Sequence, residues 1–215
     1  NCQQVFCSAL KTLTENGENN AVIGSLVSRS NIRYGLDTIN PFCNDALGHS
    51  LKVNMADKYD FENIFGKFAS DMCANNSVSR KTQNLLTNGF QTSGNIFAGE
   101  GKLAKTIEDI LILEVENYRE YFIDSEEGLI KNWPANYRIS GWLVSMTSGG
   151  HLSAHMHDNG WITGSVYIKV PRTHQDDSGN LVVSMEDVTE EQPITKNRKS
   201  INVSTGDLFL FPSSL

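Results

Sequence analysis

Apolar residues in the first part of the chain recur at helical spacing. Val5, Phe6, Ala9, Leu10 and Leu13 line one such face, and Val22, Ile23, Leu26 and Val27 line a second after the polar connector 15–20. The pattern predicts a helical hairpin within residues 1–40, of the kind that could close a helical-repeat array. Asn40-Pro41-Phe42 then breaks the pattern. Phe61, Ile64, Phe65, Phe68 and Met72 predict an amphipathic helix over 59–72, with Asp60 as its N-cap. Residues 85–97 turn polar and carry two glycines, which predicts a turn-rich strand or loop. Ile107, Ile110, Leu111, Val115, Tyr118 and Phe122 mark a long helix over 103–122 that should lay one face on a sheet.

After Tyr137 the period shortens. Runs at 140–146, 161–170, 181–185, 201–203 and 208–211 are short, apolar and bounded by Gly, Pro or Asp, with no helical stretch between them. Helices first and antiparallel strands afterwards predict an α+β chain whose C-terminal part is a β-sandwich or jelly roll. Residues 1–40 read as a helical N-terminal segment and 41–215 as a β-domain with supporting helices.

At 215 residues and 39% hydrophobic, the chain can bury one substantial core. A net charge of -7 without a basic block argues against capture of a nucleic-acid backbone, and no apolar run is long enough to span a bilayer. Cys2, Cys7, Cys43 and Cys73 have neither the paired spacing of a structural zinc site nor the density of a disulfide framework. Free thiols in a reducing cytoplasm are the simplest expectation.

The candidate chemistry lies in residues 149–171. His151, His155 and His157 stand between a Gly-Gly turn and the apolar run that starts at Trp161. On an extended strand alternate side chains share a face, so His155 and His157 would project together as metal ligands. Two neutral imidazoles can hold Fe, Zn, Mn, Ni or Cu, and the choice belongs to the remaining ligands. The alternative is a pair of hydrogen-bonded surface histidines. His151 is the weaker ligand candidate, and His174, in an Asp-rich loop, should be solvated. Trp142 and Trp161 read as core or rim aromatics.

The ordered set Ser140-Gly141-Trp142-Leu143-Val144, Ser148-Gly149-Gly150, His155-Met156-His157, Gly160-Trp161, Tyr167, Val170-Pro171 and 206–213 resembles the 2-oxoglutarate and iron(II)-dependent oxygenases often found behind tetratricopeptide repeats. Upstream, residues 86–97 followed by a long helix are similar to the segment before that family's β-core, so the resemblance covers roughly 41–215. It implies a double-stranded β-helix of the jelly-roll or cupin-like kind holding Fe(II). It also implies 2-oxoglutarate as co-substrate and O2 activated to hydroxylate an unidentified substrate, with release of succinate and CO2.

By the same resemblance His155 matches the first metal ligand. His157 stands where the wider superfamily has Asp or Glu, and Asp158, its neighbour, would point to the opposite face of a strand. A distal His and the Arg that grips 2-oxoglutarate would follow 211–213, beyond Leu215, which makes the oxygenase-like domain incomplete at its C-terminus. Ser165 and Tyr167, sharing a strand face, could hydrogen-bond the co-substrate. Strand 201–211 is expected beside the histidines, with Leu215 near the metal.

Two rival readings share the barrel. A cupin-type metalloprotein without 2-oxoglutarate fits Gly149, five residues, then His155-Met156-His157, and Gly206, five residues, then Pro212. The glutamate that motif needs soon after its second histidine is replaced by Trp161 or Ile162. The other rival is a non-catalytic binding module in which the histidines are incidental.

Overall fold

A computed structural model describes residues 2–171, 178–187 and 195–215. His174 lies outside these described residues. The hairpin forms as α1 (Cys2–Glu15) and α2 (Ala21–Tyr34), packed through Leu10, Ile23, Val27 and Leu26. Asn20 caps α2 by accepting the Ile23 N–H at 3.0 Å, and Gly35, at φ 63°, ends it in the left-handed conformation that a side chain would resist. The helix docks on the following segment through Gly24, where a Cβ would lie only 2.8 Å from that of Phe42. Asn40 reinforces the junction by donating to the Gly24 carbonyl (2.8 Å) and to Ser28 Oγ (2.9 Å).

Beyond this junction come β1 (Leu51–Asn54), a π-helical turn (Glu62–Gly66) that runs into α3 (Lys67–Ala74), β2 (Arg80–Lys81) and β3 (Leu86–Thr92). The long helix is α4 (Lys102–Tyr121), followed by the short α5 (Gly128–Lys131). The remaining elements are β4 (Val144–Leu152), β5 (Ile162–Val166), β6 (Leu181–Ser184), β7 (Arg198–Ile201) and β8 (Asp207–Pro212). Among the described residues, no helix is long and apolar enough to cross a membrane.

Among the described residues every strand pairing is antiparallel, in three sheets ordered β1-β8-β5, β2-β3-β4 and β6-β7. β8 is the centre of the first sheet and is buried along its whole length. Burial on both faces is why its sequence is an unbroken Leu-Phe-Leu-Phe run rather than an alternating one. Leu208, Phe209, Leu210 and Phe211 share one cluster with Phe61 and Phe65 of the π-helical segment and with Ile107 and Tyr118 of α4. The α+β class therefore holds, with the long helix and the C-terminal strands in a common core.

Several local expectations differ. Asp60 spends its carboxylate on the Asn63 side chain (2.9 and 3.0 Å) instead of capping the backbone. The two glycines at 149 and 150 lie inside β4, beside a register shift against β3 at Thr87/Gly89, and not in a turn ahead of the histidines. Residues 201–211 are not one strand. Ile201 ends β7, which pairs with β6, while β8 begins after the turn in which Asp207 N–H donates to the Ser204 carbonyl.

Candidate functional site

His155 and His157 sit in the connection from β4 to β5, not on a strand, so alternation along a ladder is not what orients them. Their rings nevertheless meet, with centroids 5.1 Å apart and planes at 63°. Two other contacts produce this. The carbonyl oxygen of Ser153 lies 2.8 Å from His155 Nδ1, and since a carbonyl only accepts, Nδ1 carries the hydrogen and Nε2 keeps its lone pair. On the other side the indole of Trp142 stacks on His157, at 5.4 Å and 29°. His155 is exposed and His157 half-buried. Burial, and then the adjacent His155 imidazole, hold the His157 pKa below its usual value, against the opposing effect of Asp158. Its neutral form, the one with a lone pair to offer, is favoured.

The segment is anchored from behind. Gly160 N–H donates to the His157 carbonyl (2.9 Å), closing a turn before Trp161. Trp161 donates its indole N–H to the Leu129 carbonyl (2.9 Å) and meets Phe42 edge-on at 4.9 Å, so it is a packed aromatic, as its sequence context suggests. Pairing of Ile162 with Pro212 brings the last residues of β8 alongside, and Ser213 N–H donates to the Trp161 carbonyl at 3.2 Å. The expected closeness of the chain end to the histidine segment is therefore present, although it is β8 alone that delivers it.

Strand registers assign the faces of this sheet. Lys52 and Ser165 both oppose Phe209, Thr163 opposes Phe211, and Asn54 opposes Asp207, so these side chains share one face. Leu51, Val53, Ile162, Val166, Leu208 and Leu210 share the other. Tyr167 extends the ladder, donating its N–H to the Asp207 carbonyl (2.8 Å) and accepting from Gly206 N–H (2.8 Å). Tyr167 follows Ser165 by two residues along this ladder, as a shared face requires. Burial pushes the Tyr167 hydroxyl up to about 12, so it is a proton donor at neutral pH. Lys52, a cation on the same face, is already held by Asp207 (2.8 Å) and by the Asn202 carbonyl (2.8 Å).

A second group of ligating side chains was not anticipated from sequence. Cys43, His49 and Glu127 offer donor atoms that all lie within 4.8 Å of one another. Glu127 accepts from the N–H groups of Asn44 (2.8 Å) and Asp45 (3.0 Å), while His49 Nδ1 lies 2.8 Å from the Asp45 carbonyl and Nε2 lies 2.8 Å from Ser125 Oγ. Burial, then the Glu127 and Asp45 charges, push the Cys43 thiol up. Among the described residues, His155 and His157 have no third His, Cys, Asp or Glu donor within the same reach.

Residues 140–215 match the family model described as "Putative 2OG-Fe(II) oxygenase". Over that segment the chain is similar to this oxygenase family. The match contains the histidine segment, Ser165, Tyr167 and the whole of β8, and the family implies dioxygenase-type chemistry with Fe(II), 2-oxoglutarate and O2. No curated protein and no solved structure matches the chain.

The separation of the two rings matches what a shared ion would need, while the described residues offer no third His, Cys, Asp or Glu donor beside them. A metal about 2.1 Å from each coordinating nitrogen holds two cis imidazoles with centroids roughly 4.5–5.2 Å apart, and the observed separation is 5.1 Å. The Ser153 carbonyl on Nδ1 is the outer-shell partner that a ligating imidazole usually has.

Proposed function

We propose that this chain carries the metal and co-substrate site of a non-haem Fe(II) and 2-oxoglutarate-dependent dioxygenase built on a double-stranded β-helix core. The observation that carries the reading is the contact between the His155 and His157 rings, with the Ser153 carbonyl engaging Nδ1 of His155 and not its Nε2. Support comes also from the family match, which contains both residues. His155 and His157 hold the iron. Iron and 2-oxoglutarate together supply the oxidising power to insert one atom of O2 into a substrate bond, with succinate and CO2 as co-products.

The chain's own groups have separate tasks. Trp142 fixes the plane of the His157 ring, and the depressed pKa of His157 keeps it unprotonated for ligation at neutral pH. Tyr167 and Ser165 offer their hydroxyls to the carboxylate oxygens of 2-oxoglutarate, the Tyr167 hydroxyl remaining a donor because burial raises its pKa. The four free thiols support a reducing compartment, the cytoplasm, as the place of action.

The test is an anaerobic titration of the chain in a Cys43→Ser background with Fe(II), or with Mn(II) as a redox-inert substitute, followed by 2-oxoglutarate, reading melting temperature. Metal should stabilise the protein and 2-oxoglutarate should stabilise it further only when metal is present, because each binds the folded state alone. His155→Ala should remove both effects. Unchanged metal affinity in His155→Ala and His157→Ala would overturn the assignment.

A further inference from the structure

We propose that Cys43, His49 and Glu127 form a separate structural metal site that takes a thiophilic divalent cation of the zinc class. The inference is independent of the oxygenase reading, because it uses none of the residues assigned there. Three donors of different chemistry, drawn from two distant parts of the chain, have their ligand atoms within 4.8 Å of one another. Ligands of a tetrahedral zinc, at about 2.0–2.3 Å from the ion, stand roughly 3.3–3.8 Å apart. An adjustment of about an ångström would close the set, exchanging a hydrogen bond of the half-buried Glu127 carboxylate for the ion.

The surroundings are arranged as they would be around ligands. The Asp45 carbonyl can only accept, so His49 Nδ1 carries the ring hydrogen and the lone pair is on Nε2, which now takes a hydrogen bond from the Ser125 hydroxyl. An ion replaces that single hydroxyl contact. Glu127 Oε2 accepts from the backbone and side-chain amides of Asn44 (2.8 and 3.2 Å), Oε1 accepts from the Asp45 N–H and keeps a further lone pair, and Asn40 Oδ1 accepts from the Cys43 N–H at 3.2 Å. Cys43 is fully buried, yet its neighbours include two carboxylates, those of Glu127 and Asp45. That company gives a neutral thiol no stabilisation, whereas a cation turns it into coordination.

The charge count also suits a divalent ion. One thiolate and one carboxylate contribute two negative charges and the imidazole is neutral, while the sulfur selects zinc-like ions over magnesium or calcium. On binding, the sulfur–hydrogen bond of Cys43 breaks, its proton leaves to solvent and the metal–sulfur bond forms, with no change of oxidation state. Asn44 and Asp45 are exposed, which gives the ion its way in. The site would clamp residues 40–50 to the junction between α4 and α5. Phe42 and Leu129 flank it and are themselves joined, Leu129 N–H donating to the Phe42 carbonyl at 2.6 Å, and both contact Trp161 behind the histidine segment.

The experiment uses the full chain with Cys2, Cys7 and Cys73 replaced by Ser, stripped of metal, reduced, and titrated with Co(II) as the spectroscopic probe. The expected result is a thiolate-to-cobalt charge-transfer band that saturates at one equivalent at this site, whatever the histidine pair takes up besides, with tetrahedral visible absorption and a higher melting temperature. Glu127→Gln keeps an acceptor for one of the two backbone amides and, once a cooperative melting curve shows it folded, should bind at least tenfold more weakly. His155→Ala/His157→Ala should leave the charge-transfer band intact. A folded protein that gives no thiolate band at saturating Co(II), or a band of unchanged affinity in Glu127→Gln, would overturn the proposal.

Discussion

Thr163 and Ser213 join hydroxyls at 2.7 Å across the pairing of β5 with β8. The contact ties the last residues of β8 to the strand that follows the histidines, so the position of the histidine segment depends on the chain end. The Ser213 side chain, wholly buried, also fills the space over Gly160.

Gly160→Ala should therefore destabilise the protein. A Cβ at this position would stand 2.5 Å from Ser213 Oγ and 3.2 Å from the His157 carbonyl. Overpacking of this kind costs about 1–3 kcal/mol. Urea denaturation should register the loss, and Gly160→Ala/Ser213→Gly should be more stable than the sum of the single changes allows. Strict additivity of the two would remove Ser213 as the cause.

Glu114 should be the most costly carboxylate to remove from α4. It is 1% exposed and receives Lys58 Nζ (3.0 and 3.1 Å) and the Tyr59 hydroxyl (2.6 Å), which holds residues 55–59 against the helix. Glu114→Ala leaves a half-buried phenol without its acceptor, while Lys58, being largely solvated, finds water instead. The expected loss is about 1–3 kcal/mol, read as a lower denaturation midpoint with an unchanged slope.

The same group sets an alkaline limit. Burial, followed by the hydrogen bond to Glu114, pushes the Tyr59 hydroxyl up to about 12. Because the folded-state pKa is raised above the ordinary value of about 10, this contribution to stability is complete below pH 10 and lost as pH rises through the folded value. Glu114→Gln removes the carboxylate charge and should bring forward the titration of one tyrosine, measured as tyrosinate absorbance. A titration curve unchanged by Glu114→Gln would assign the late tyrosine elsewhere.

The helices were legible from apolar spacing alone. α1, α2 and α4 follow the residues that define their faces, and the apolar run 208–211 was legible as a strand, though its burial on both faces was not anticipated. The histidine pair was legible as a pair, but for a reason the structure does not use. Strand alternation was expected to align His155 with His157, whereas a backbone carbonyl at Ser153 and the indole of Trp142 do so in an irregular connection. Such contacts leave no periodic trace in a sequence. Cys43, His49 and Glu127 were illegible for a different reason, since the third donor arrives from the far end of α4 and only the fold brings it to the other two.

Trp142 should control metal affinity without being a ligand. Its ring lies 5.4 Å from that of His157 at 29°, and with 39% of its surface exposed it has space to be replaced without collapse of the core. Stacked aromatic pairs contribute about 0.5–1.5 kcal/mol beyond their burial, which corresponds to roughly a twofold to twelvefold change in binding if that energy holds His157 in its ligating orientation. Trp142→Ala should therefore weaken Mn(II) binding by a factor in this range, and Trp142→Phe, which keeps a stacking face, should restore most of it. His157→Ala in the same assay should cost far more, since a lost ligand is not recovered by orientation. If Trp142→Ala binds Mn(II) as the parent does while His157→Ala does not, the stack is only a packing contact and the Ser153 carbonyl alone orders the pair through His155.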